Sequence, residues 1–196
     1  MQKCHRIVWR VSGSSYPFRY INPEERRKNH LNTKEISLTT VIGALYAVIV
    51  IILAPISFGP IQLRVADALI PLAALVGLPA VYGVTLGAIL ANTYWFLSPI
   101  DIILGALANL LAGYLIYKYK KNLLLASIAA AIVIGVIVGG YLWLFFPPPS
   151  ILGLQLPAWF AMIISITLSS IIAVTILGLT LLKLLESSGI FTQIKA

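Results

Sequence analysis

From Ile36 onward the chain is a series of long apolar runs broken by proline, glycine and charge. A bilayer core about 30 Å thick takes about 20 helical residues at 1.5 Å each. On that scale the breaks predict six helices: 36–55, 63–77, 80–97, 101–117, 122–146 and 157–185. They end respectively at APISFGP, GLP, SP, KYKK, PPP and the polar C-terminal tail. The second is short for a full crossing, so it is expected to be tilted, bent or partly re-entrant. Its separation from the third rests on Pro79. If that proline only kinks one long helix, the count falls to five.

Composition makes the membrane reading firm. The 196 residues are 60% hydrophobic and 10% charged, against about 25% charged in a soluble domain. The expectation is an all-α integral membrane bundle of six transmembrane helices. Residues 1–35 are a basic cytoplasmic segment, 36–186 the transmembrane domain and 187–196 a cytoplasmic tail. The first apolar run starts too far in for a cleaved signal peptide. The lone Cys4 excludes an intrachain disulfide.

Charge then fixes the threading. Eight of the fourteen Lys and Arg lie in residues 1–35, which reads as a cytoplasmic flank rather than a nucleic-acid site. With that flank inside, the links 56–62, 98–100 and 147–156 face outside and contain no Lys or Arg. Lys118, Lys120, Lys121, Lys183 and Lys195 fall inside, as the positive-inside rule requires. Five helices would put KYKK outside, so charge favours a break at Pro79.

That threading gathers the scarce polar groups at one surface. Gln62, Arg64 and Asp67 lie at the outer end of the second helix, Asn92 and Trp95 in the outer half of the third. Asp101 starts the fourth, and Gln155 and Trp159 flank the start of the sixth. Asn109 is the strongly polar side chain nearer the middle. A charge at membrane depth costs about 2.5–3.5 kcal/mol or more, so it is normally paired, in a cavity or functional. Taken singly, each group has a plain explanation. Arg64 and Asp67 form an i,i+3 ion pair, Asp101 is a helix N-cap, and the tryptophans sit in the interfacial belt. Taken together, they fit an outward-facing pocket for a small, polar, planar ligand.

Small residues recur four apart, as at Gly43/Ala47, Gly87/Ala91 and Gly105/Asn109/Gly113, a spacing that lets helices approach closely. No phosphate-binding loop and no row of carboxylates crossing the membrane is present, so energy for inward transport would come from elsewhere. No metal site or cofactor is expected.

Three stretches carry a resemblance: GALYAVIVIILAPISFGPIQLRVADALIPL, GVTLGAILAN and SPIDIILGALANLLAG. They resemble the QueT family, the substrate-capturing S components of energy-coupling-factor (ECF) importers assigned to queuosine precursors. The likeness spans about residues 38–117. Its most specific piece is SFGPIQLRVADAL, with Ala66 and Asp67 where the family typically has Ser-Glu. The resemblance implies ligand capture at the extracellular face under a lid formed by the loop after the first helix. It also implies a transmembrane coupling subunit and two cytoplasmic ATPases as partners, with Gly43, Ala44 and Ala47 docking the coupling subunit.

On this reading the ligand is 7-deazaguanine-like. Asp67 or Asp101 accepts its N–H groups, Gln62 and Asn92 complete the hydrogen bonds, and Trp95 and Trp159 stack on the ring. Arg64 orients Asp67 or touches a ligand carbonyl. Another vitamin or nucleobase is the alternative cargo. A membrane-embedded enzyme using Asp67 and Asp101 as an acid–base pair is a third reading. It lacks any histidine in the apolar region, since His5 and His30 both lie in the leader.

Overall fold

Long apolar runs satisfy their own backbone groups by forming helices, and every regular element among the described residues is helical. The computed structural model describes residues 32–58, 63–147 and 156–188. The chain divides into the units Met1–Asn32 and Thr33–Ala196. The basic segment before Asn32 and the tail after Ser188 lie outside the described residues.

Helix α1 runs Thr33–Ile52, beginning three residues before the first apolar residue, with Glu35 in its first turn. A carboxylate there suits the positive end of the helix dipole. The short α2, Ala54–Ser57, follows. The predicted second helix takes a tighter form: a 3₁₀ helix over Val65–Leu72, then the single turn α3, Ala73–Val76. Pro71 sits inside it. It cannot donate to a carbonyl one α-turn back, and its ring opposes that carbonyl.

The break predicted at Pro79 is present. Gly77 adopts φ 85°, a left-handed value that glycine tolerates. α4, Leu78–Tyr94, then starts with Pro79 in its first turn. α5 spans Pro99–Lys118, α6 Leu123–Leu142 and α7 Ala158–Ser170. A π-helical stretch, Ile171–Leu177, joins α7 to α8, Gly178–Ser187, without interruption.

Among the described residues, four stretches are long and apolar enough to cross a bilayer by length and composition: Thr33–Ile52, Pro99–Lys118, Lys120–Leu142 and Ala158–Ser187. α4, with 17 residues, is about 26 Å long. The Thr39 hydroxyl, in the second turn of α1, donates to the carbonyl of Pro79 in the first turn of α4 at 3.2 Å, and Gly43 lies against Gly83 and Tyr46 against Gly87, so α1 and α4 run parallel. The chain between them must therefore return, and the 3₁₀ helix with α3 supplies about 22 Å of that path. We call the end where α1 and α4 finish the distal end; α5 starts there, α6 finishes there and α7 starts there.

α1 and α4 touch backbone to backbone. A Cβ on Gly87 would come within 2.7 Å of both the Gly43 carbonyl oxygen and Tyr46 Cβ. This close approach sets Tyr46, fully buried, over α4 and toward the interior. Large apolar side chains such as Val41, Leu45, Val48, Ile103 and Leu107 are exposed on the outside. In water such a surface would be a liability; against lipid it is matched to its solvent.

Candidate ligand-binding site

The 3₁₀ helix carries Asp67 into the middle of the bundle, where it is 2% exposed. The Tyr46 hydroxyl on α1 donates to Asp67 Oδ1 at 2.6 Å, and Asn109 Nδ2 on α5 donates to the Tyr46 oxygen at 2.8 Å. Three elements are thus tied by one relay. The i,i+3 ion pair, the plain explanation of these two residues, is not made as a direct side-chain contact. The guanidinium and carboxylate still attract each other electrostatically, while Asp67 N donates to Arg64 O at 3.0 Å and the carboxylate takes the tyrosine.

The second corner is built where α4 gives way to α5. Asp101 is 1% exposed and Asn92 fully buried. The expectation that Asp101 caps α5 is corrected: Ser98 is the N-cap, its Oγ accepting from Asp101 N at 3.2 Å. One turn along, the Asp101 carboxylate is free for other work. Its Oδ1 accepts from the Tyr141 hydroxyl on α6 at 2.6 Å. Asn92 Nδ2 donates to the Asp101 carbonyl at 3.0 Å. Gly105 makes room for this: a Cβ there would lie 2.5 Å from Asn92 Nδ2 and 3.8 Å from Arg64 Nη1.

Arg64 joins the two corners. It is 7% exposed, and its guanidinium carbon lies 5.4 Å from the Phe58 ring centroid, within range of cation–π attraction. Phe58 in turn stacks on Trp95, with centroids 5.6 Å apart and planes 16° from parallel. Yet Arg64 Nε and Nη2 are buried with no hydrogen-bond partner, as are Asn92 Oδ1 and Asp101 Oδ2. Each such group costs about 1–3 kcal/mol if left unmet. Several of them in one layer mark a place for a ligand better than any single residue does. A cavity of about 10 Å³ opens beside Arg64 on the Asp67 side, lined by Arg64, Asp67, Asn109, Ile134, Val138, Ile166 and Ser170; Asn92 and Asp101 do not line it.

Of the residues singled out from sequence, Arg64, Asp67, Asn92 and Asp101 converge in the buried interior. Trp95, 49% exposed, borders them through Phe58. Trp159, 50% exposed, packs edge-on against Phe160, centroids 5.5 Å apart. Gln62 and Gln155 lie outside the described residues. On α1, Gly43 and Ala47 are buried and Ala44 is exposed. Sequence reasoning missed Tyr46, Tyr141 and Phe58. The signal was there for the tyrosines, because a phenol inside an apolar run must find a partner. No group of His, Cys, Asp or Glu among the described residues could hold a metal ion.

These features define a class, a helical membrane protein with a cluster of buried polar side chains and a small cavity inside the bundle. Residues 36–187 match the QueT transporter family, and the chain belongs to it. It is therefore a substrate-binding component of a transporter and not an enzyme. No curated protein and no solved structure matches the chain.

Proposed function

We propose that this chain is the capture subunit of an ECF-type importer, binding a 7-deazaguanine-type queuosine precursor at the extracellular face. The distal end is the extracellular one, the membrane is crossed six times, and both termini are cytoplasmic. The positions of Lys118, Lys120, Lys121 and Lys183 at the proximal end support that orientation, as does the return path through the 3₁₀ helix. The reading is carried by the unpaired buried groups: donors on Arg64, acceptors on Asn92 and Asp101. A lactam-and-amine edge presents the complementary pattern.

Trp95 would stack on the ligand ring at the mouth, a role supported by its stack on Phe58 beside Arg64; Trp159 would stack with it and Gln62 would complete the hydrogen bonds. On α1, exposed Ala44 with Val41, Leu45 and Val48 offers the surface for the coupling subunit. Gly43 and Ala47 would act from behind it by holding α1 close to α4. Two cytoplasmic ATPases would supply the energy that the membrane chain lacks.

Tryptophan fluorescence of the purified full chain tests the reading. Titration with 7-deazaguanine precursors should give saturable quenching, with weaker response to guanine and none to an unrelated vitamin. No saturable response to any deazapurine removes the substrate; saturation by the vitamin alone replaces it.

A further inference from the structure

We infer that the π-helical stretch Ile171–Leu177 is the hinge that opens the interior cavity. Relaxing it to α form pushes the 3₁₀ helix off its seat on α8. The inference rests on the proposed capture reading for what enters, while its test needs no ligand.

The first observation is one hydroxyl out of step with its kind. Thr40, Thr85, Thr93 and Thr180 each donate to the carbonyl four residues back, at 2.7–2.9 Å. A threonine inside a helix ordinarily satisfies itself in this way. Thr175 lies within the π stretch, is 9% exposed, and its Oγ1 has no partner. A π turn closes its bonds over five residues rather than four, which leaves the Ile171 carbonyl out of line. The π form thus keeps a buried donor unmet, and an α form returns it to the pattern of the other four. Packing of the bundle holds the π form, and Thr175 favours the α form.

The second observation is what the stretch touches at its two ends. Just before it, Ser170 lines the cavity with Arg64 and Asp67. Just after it, Gly178 seats the 3₁₀ helix: a Cβ there would lie 2.7 Å from Pro71 Cγ and 3.2 Å from the Ala68 carbonyl oxygen. The π stretch and α8 both pack against the 3₁₀ helix. A π turn holds about one residue more than an α turn, so removing it turns α8 relative to α7 by about 100°. Gly178 then leaves the seat. Either neighbour, Leu177 or Leu179, brings a side chain against Pro71 where even a Cβ does not fit. The 3₁₀ helix lifts, and it carries Asp67 and follows directly on Arg64. The wall opposite Ser170 moves away and the cavity widens. Single π turns within α-helices are frequent at functional sites.

The test reads opening through a thiol. Ser170→Cys is placed in a Cys4→Ser full chain, which removes the one native thiol, and is labelled in bilayer nanodiscs with a small water-soluble methanethiosulfonate. The closed cavity, at about 10 Å³, does not admit the reagent, so the labelling rate follows the open fraction. Thr175→Val keeps the shape, relieves the π form of its unmet hydroxyl and denies the α form its bond. It should slow labelling about ten- to a hundredfold. Thr175→Ser keeps the hydroxyl and should label within about threefold of the parent. A packing role alone gives the opposite order, valine silent and serine altered, and that result overturns the inference, as does a parent that never labels. Gly178→Ala sets a methyl group against Pro71 and should speed labelling about tenfold; an unchanged rate overturns the link to the 3₁₀ helix. The same variant decides the matter if Thr175→Val is not recovered folded. Failure of every deazapurine to bind removes the proposed cargo and leaves these outcomes as they are.

Discussion

The Asp67 and Asp101 corners use the same parts, a buried carboxylate and a tyrosine hydroxyl 2.6 Å away, to different ends. At Asp67 the tyrosine is itself hydrogen-bonded by Asn109, so α1, the 3₁₀ helix and α5 are fastened through one oxygen. At Asp101 the second carboxylate oxygen and the neighbouring Asn92 oxygen are left unmet. The first corner fastens three elements together, while the second keeps buried acceptors without a donor. Identical residue types at similar depth therefore do not sit in identical surroundings: Asp67 lines the cavity beside Arg64, whereas Asp101 Oδ2 is buried without a donor.

The sharpest way to break this contrast is Asp67→Ala. It leaves the Tyr46 hydroxyl without its acceptor and Arg64 with one carboxylate in place of two. The expected loss is about 3 kcal/mol of stability, near the low end for removing one partner of a buried charge set because Asp101 remains. Unfolding of the purified protein in denaturing detergent would measure it. An unchanged stability with binding abolished would reverse the roles assigned to the two corners.

A comparison of Tyr46→Phe with Tyr141→Phe sharpens it further. The first deletes two interhelical bonds and the second one, each worth about 0.6 kcal/mol and at most about 1.7 inside a membrane bundle. Tyr46→Phe should cost roughly twice as much stability, while Tyr141→Phe should show its larger effect in ligand affinity. Ser98→Ala is expected to fall between these two in stability. Losing that N-cap costs about 1 kcal/mol and loosens the turn that presents Asp101, which a thermal melt would register.

Much of this is legible in the sequence. Run lengths and the positions of Pro79 and KYKK place the long helices to within a few residues, because a bilayer leaves little freedom in helix length. Rarity pointed to Arg64, Asp67, Asn92 and Asp101, because polar groups in such a chain need a reason to be there. The tightening of the second helix into 3₁₀ form was not visible from its apolar pattern, since that pattern does not set the helical pitch, although Pro71 was a clue. Tyr46 and Tyr141 escaped because a hydropathy reading counts tyrosine with the apolar residues and hides its hydroxyl. Ser98 and Asp101 stand three apart, and either could have been the cap; only the backbone geometry separates them.

The cavity beside Arg64, at about 10 Å³, has room for about one water molecule, whereas small-molecule pockets run to about 300–1,000 Å³. A heterocycle bound there would need the helices to part. Association would then be limited by how often the bundle opens, and the observed rate would level off as ligand concentration rises. Measured affinity would carry the fraction of time spent open as a penalty, so a substitution that favours opening could tighten capture without touching the ligand.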